Sequence, residues 1–103
     1  MQPWTALADP TRREIVEILA RGELSAGQIA AHFKMSPPAV SQHLKTLREA
    51  RLISMRIDAQ RRIYRLESEG FDELEMWLAH IRRFWSAKLD LLEKSIMSET
   101  EIS

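Results

Sequence analysis

Residues 71–97 read as one unbroken helix that a chain of 103 residues has no means of burying. Leu74, Leu78, Ile81, Trp85, Leu89, Leu92 and Ile96 recur at heptad-like spacing. Trp77, Phe84 and Leu91, each seven apart, widen the apolar arc to about 160°. At about 1.5 Å per residue the helix is roughly 40 Å long, against a radius of gyration near 13 Å for a compact chain of about this length. It is expected to protrude, and to cover its apolar face by pairing with a second copy of itself, together with Trp4 and Leu7. A hydrophobic ligand under Trp77, Phe84 and Trp85 is the rival use of the same side chains.

A chain of this length is expected to form one domain, 1–103, with residues 9–67 as a core and 71–97 as the long helix. It has no cysteine, which excludes disulfides, thiolate metal sites and cysteine nucleophiles. No run approaches the length of a membrane span and "MQPWTALADP" lacks a signal-peptide pattern, so no membrane insertion and a cytoplasmic location are expected. The formal net charge is zero, yet the charge is unevenly placed. Residues 34–65 carry eight basic groups (Lys34, Lys45, Arg48, Arg51, Arg56, Arg61, Arg62, Arg65) against Glu49 and Asp58, a net +6. Residues 66–103 carry four basic and nine acidic groups, a net −5. A basic middle third beside an acidic tail is the footprint expected of a phosphate-binding surface.

Asp9 before Pro10 reads as a helix cap and first helical residue, with Ile15, Ile18 and Leu19 as the apolar stripe and Gly22 as the stop. "SAGQ" (Ser25–Gln28) is a capping box that opens a short helix with Ala26, Ile29, Ala30 and Phe33 on one face. "KMS" then connects tightly into a further helix capped by Ser36. Pro37 and Pro38 cost little there, because the first helical N–H groups have no intrahelical partner. From Leu52 the period changes to two. Ile53, Met55 and Ile57 alternate with Ser54, Arg56 and Asp58, "DAQR" turns, and "RIYRL" returns, giving a hairpin closed by Gly70. The fold expected is mainly α with a β-hairpin.

On the helix of residues 38–49, Val40, Leu44 and Leu47 face inward. Opposite them lie Pro38, Ser41, Gln42 and Lys45 at i, i+3, i+4 and i+7. A solvated face usually carries long Glu and Lys side chains; this one is short and polar with a single cation. Short side chains permit close approach to the floor of a DNA major groove, where Gln and Ser can hydrogen-bond base edges. A short helix, a three-residue turn and this helix make a helix-turn-helix. Arg56, Arg61 and Arg62 on the adjacent hairpin are placed to meet phosphate or a minor groove.

"LADPTRREIVEIL", "SPPAVSQHLKTLREARLI" and "RRIYRL" closely resemble the ArsR-type winged helix-turn-helix repressors, over roughly residues 4–96. The resemblance implies a homodimer through the terminal helices on an inverted-repeat operator in double-stranded DNA. Its DNA contacts would fall on Ser36, Pro38, Ser41, Gln42 and Lys45, with the hairpin as a wing whose arginines meet the backbone. Two positions depart from the pattern. Pro37 stands where many relatives carry Gln, and Arg51 where relatives carry Gly after "LREA"; if that position is left-handed, a side chain there costs about 1 kcal/mol.

Metal-responding relatives carry Cys-x-Cys after "EL", where this chain has Ser25 and Gly27. Another subgroup pairs acidic and His ligands on the last helix, where this chain has only His80 and, eight residues away, Asp72. His43 reads as a packing residue. No metal or other cofactor is expected, and no catalytic spacing or phosphate loop suggests an enzyme. A regulator answering to a metal or small ligand through a non-thiolate site is one rival reading, and a winged-helix protein-interaction module is the other. An unidentified ligand or protein that releases DNA remains compatible with the main one.

Overall fold

The computed structural model describes residues 1–102, with side chains for residues 1–97; the expected boundary at 103 lies outside them. In chain order the elements are α1 (Pro3–Ala6), α2 (Pro10–Leu19), β1 (Leu24–Ser25), α3 (Ala26–Ala30), α4 (Pro37–Glu49), β2 (Ile53–Asp58), β3 (Arg61–Leu66) and α5 (Ser68–Ile102). The three strands form one antiparallel sheet in the order β1-β3-β2. Together they make a winged helix-turn-helix, with α3 and α4 as the helix pair and the β2–β3 hairpin as the wing.

The helices start where the caps say they should. Asp9 accepts the N–H groups of Thr11 and Arg12 at 2.8 and 3.1 Å. The Arg12 N–H bond is the main cause holding its carboxyl below the ordinary value of 3.8. Because the folded value is the lower one, this cap's support is complete above the ordinary value and is lost as the pH falls through the folded one. Ser25 and Gln28 close both halves of the capping box, at 3.2 and 2.8 Å. Ser36, extended at φ −65° and ψ 150°, accepts the Ala39 N–H at 3.3 Å, and α4 begins at Pro37.

The core gathers one face from each element. Ile15, Leu19, Ile29, Val40, Leu44, Leu47, Leu52, Ile53 and Tyr64 are buried together, with Phe71 and Leu74 of α5 packed against them. Beyond Leu74 the core ends and α5 continues. It carries 35 residues, the molecule extends 74 × 25 × 23 Å, and its radius of gyration is 20.5 Å. The protruding helix expected from the sequence is therefore present.

Four details differ from the sequence reading. β1 is a two-residue strand, paired Leu24 to Tyr64 and Ser25 to Ile63 and too short to show a period. Residues 31–36 separate α3 from α4, more than the three expected, because α3 winds down through the 3.0 and 3.2 Å bonds from the His32 and Phe33 N–H groups to Ile29 and Ala30. Gly22 lies three residues past the end of α2, whose cap is Ala20. Gly70 does not close the hairpin; it lies in the first turn of α5.

The reason for Gly70 is a close approach. A Cβ built there would lie 2.6 Å from the Arg51 carbonyl oxygen and 2.7 Å from that of Ala50. Those carbonyls belong to the end of α4, which closes as a Schellman motif. The Arg51 N–H donates to Arg48 O at 3.0 Å, the Leu52 N–H to Leu47 O at 3.1 Å, and Arg51 is left-handed at φ 60°. The condition attached to Arg51 in the sequence is thus met. Gly70→Ala, which in an ordinary helix would stabilise, is expected to cost about 1–3 kcal/mol because backbone must move, lowering Tm by roughly 4–8 °C per kcal/mol. A thermal melt at or above that of the wild type would show that the two backbones have room to part.

Candidate nucleic-acid interface

Helix α4 shows two faces. Val40, Leu44, Thr46 and Leu47 are buried, and Leu47 is fully so. Pro38, Ser41, Gln42 and Lys45 are exposed on the opposite side, with Ser36 exposed at the cap. Among the described residues, the side chains of Ser41, Gln42 and Lys45 take part in no hydrogen bond or ion pair, so their polar groups are free to meet a ligand. The Ser36 hydroxyl is in use as a cap acceptor, which leaves it its O–H to donate. His43, between the faces, is half-buried, its Nδ1 lying 3.4 Å from the Arg12 guanidinium, while Arg12 Nε donates to Ala6 O at 2.6 Å. It packs against α2, as the sequence suggests.

The wing arginines are not equivalent. Arg61 and Arg62 open β3 at the hairpin tip, opposite Asp58 and Ile57, and both are exposed. The turn between the strands places Ala59 at φ 58°. Arg56, in mid-β2, is exposed but held by Glu23 at 2.8 Å, just before β1. Arg65 donates across the sheet to Ser54 Oγ at 3.2 Å. Among the described residues, Arg61 and Arg62 at the tip have no partner, whereas Arg56 and Arg65 nearer the core are engaged.

At the far side, Trp4 of α1 stacks on Trp77 of α5 with ring centroids 5.6 Å apart and planes 28° from parallel. Leu7 is half-buried against the core of its own chain. Leu78, Ile81, Phe84, Trp85, Leu89 and Leu92 are exposed along α5, Phe84 carrying the Lys88 ammonium 4.8 Å above its ring. Trp85 is 59% exposed and Leu92 59%. Large apolar side chains left open in this number are characteristic of protein–protein or ligand contact surfaces.

Comparison with known proteins decides the family. Residues 9–55 match the family described as bacterial regulatory protein, arsR family. The chain is 46% identical to the HTH-type transcriptional regulator Rv2034 of Mycobacterium tuberculosis over 96 residues, covering 93% of this chain and 87% of that protein. It belongs to the ArsR family. The transcriptional repressor SdpR of Bacillus subtilis is 38% identical over 73 residues, 71% of this chain and 81% of its own. The crystal structure of an ArsR family transcriptional regulator superposes with a TM-score of 0.76 at 32% identity, covering 82% of this chain and 87% of that one. This ArsR-family chain is accordingly a DNA-binding transcriptional regulator of the winged helix-turn-helix type, not an enzyme.

The sequence reading missed Glu23, whose pairing with Arg56 depends on the strand β1, and the pair Glu69 and Glu73, which hold Arg51. No local pattern marks either. Within the described residues of this ArsR-family regulator, no group of three or more His and acidic side chains lies close enough to hold a metal ion. In the same residues, no helix is long and apolar enough to cross a membrane.

Proposed function

We propose that the chain is a metal-independent repressor that binds an inverted-repeat operator as a homodimer, with residues 9–67 as the DNA-binding core and 71–97 joining the two copies. The observation that carries this reading is the exposed row Pro38, Ser41, Gln42 and Lys45 together with the exposed tip arginines Arg61 and Arg62, none of which has a partner among the described residues. The row enters the major groove and hydrogen-bonds base edges, while Ser36 and the wing cations take phosphate. The open apolar face of α5 pairs with its copy, which presents two recognition helices to successive half-sites. The relatives named as repressors support the direction of control. Selection of bound duplexes from a random pool, followed by anisotropy titration, tests it: one symmetric motif should emerge, and recovery of unrelated sequences would defeat it.

Zinc or arsenite at micromolar levels should leave operator affinity unchanged, since no thiolate and no matched His pair are available. A shift of about tenfold that EDTA reverses would point to a non-thiolate site, with Asp72 and His80 tested first.

Glu23 should act as a brake on Arg56. The pair is exposed, so Glu23→Gln should alter stability by no more than about 1 kcal/mol. With its anionic partner gone, Arg56 can turn to phosphate, and the slope of log affinity against log salt should steepen by up to about one unit per protomer. Identical slopes for the two proteins would mean that Arg56 never reaches DNA.

A further inference from the structure

We propose that Arg51 is a positioning residue that sets the angle between α4 and α5, and thereby the half-site spacing that the dimer accepts. The inference rests on the operator-binding reading above. Backbone and side chain of this one residue both converge on the start of α5. Its carbonyl accepts the Gly70 N–H at 2.8 Å, one of the helix-start donors that has no partner within the helix. Its guanidinium reaches Glu69 Oε1 at 3.1 Å with one terminal nitrogen and Glu73 Oε2 at 2.8 Å with the other. Beside it, the Leu52 carbonyl accepts the Glu67 N–H at 2.9 Å.

Rocking of α5 about the line from Gly70 N to Arg51 O is opposed by the packing of Phe71 and Leu74 on the core and of Trp77 on Trp4, and on the α4 side by the guanidinium. Glu69 and Glu73 stand one turn apart, so a planar guanidinium held by both braces the helix against that rotation. Glycine would suit the left-handed backbone better, and the side chain accepted there is the one that spans both carboxylates. The guanidinium is half exposed, so the two pairs are individually weak and act together as a modest bias on the helix angle rather than as a rigid lock. The lever is long enough to matter: α4 spans about 20 Å, and a rotation of about 10° at its end moves the other end by about 3.5 Å, close to the rise of one base pair.

Two variants isolate the fork. Arg51→Gly keeps the backbone bond and removes the guanidinium, and the double variant Glu69→Gln with Glu73→Gln keeps Arg51 and removes its partners. Each is titrated with the preferred inverted repeat and with repeats whose spacer is changed by one or two base pairs. In parallel, the chain, which has no cysteine of its own, carries a nitroxide on Ala31→Cys, and the interspin distance distribution is read in the free dimer. Wild type should lose about tenfold or more in affinity on the altered spacers. Both variants should lose less than about threefold there, bind the single half-site as wild type does, and show a broadened distribution. A spacing profile and distribution width equal to wild type in both variants overturn the inference, as does equal weakening at every spacing without broadening. Broadening in a protein that binds no duplex at all upholds the joint and refutes the operator-binding reading instead.

Discussion

Trp85→Asp and Leu78→Asp should each sediment as a folded monomer. Both side chains are largely open in the single chain, 59% and 47% exposed, so neither substitution removes packing from the core. In the proposed dimer, each would bury a carboxylate without a partner in an apolar surface, and the twofold would repeat the penalty, at a cost of several kcal/mol in all. Far-UV circular dichroism should change little while the sedimentation coefficient falls. Operator affinity should drop by about 100-fold or more, because a half-site bound by a monomer gains nothing from its neighbour. Trp77→Asp is the less clean choice, since Trp77 stacks on Trp4 within the chain. Dimers of unchanged mass from both Trp85→Asp and Leu78→Asp would remove the dimer role of α5.

The second large effect separates reading from holding. Gln42→Ala should cost roughly 1–3 kcal/mol on the preferred operator and relax the preference at one base pair in each half-site, with little change on random duplex. Arg61→Ala with Arg62→Ala should weaken every duplex alike and flatten the salt slope by about one unit for each phosphate left without its cation. Among the described residues Arg61 and Arg62 have no partner, whereas Arg56 is held by Glu23 and Arg65 donates to the Ser54 hydroxyl, so the tip pair should account for most of the wing's share. Titration of both variants on operator and random duplex at several salt concentrations makes the test. Equal losses on both duplexes for Gln42→Ala, with a change of sequence preference only for the wing variant, would mean the two surfaces are exchanged.

Much of the fold was legible because its signals are local. Asp9, Ser25 and Ser36 cap helices through bonds to N–H groups two or three residues on, and that geometry is written in the spacing alone. The change of period at Leu52 names a hairpin, and the inward positions of α4 follow from a turn of 3.6 residues, so the outward row could be named residue by residue. The apolar arc of the last helix exceeds what one small core can cover, whatever that core looks like.

What only the tertiary structure decided are contacts between segments distant in sequence. Glu23 meets Arg56 because β1 pairs with one edge of β3 and β2 with the other, so the two side chains reach each other across β3; β1 is a pairing of two residues that no periodicity announces. Gly70 reads as a turn residue from its type, yet it serves a close approach to the Arg51 carbonyl. A glycine supplies turn flexibility and the absence of a side chain equally well, and the local sequence does not say which is needed. Arg51 could be called left-handed only conditionally. Its φ of 60° comes from the Schellman end of α4, and its two carboxylate partners come from a helix eighteen and twenty-two residues further on. Caps, periods and arcs are short-range properties that the chain carries wherever it folds. Ion-pair partners and forbidden Cβ positions depend on how far apart two backbones come to rest, and packing sets that distance.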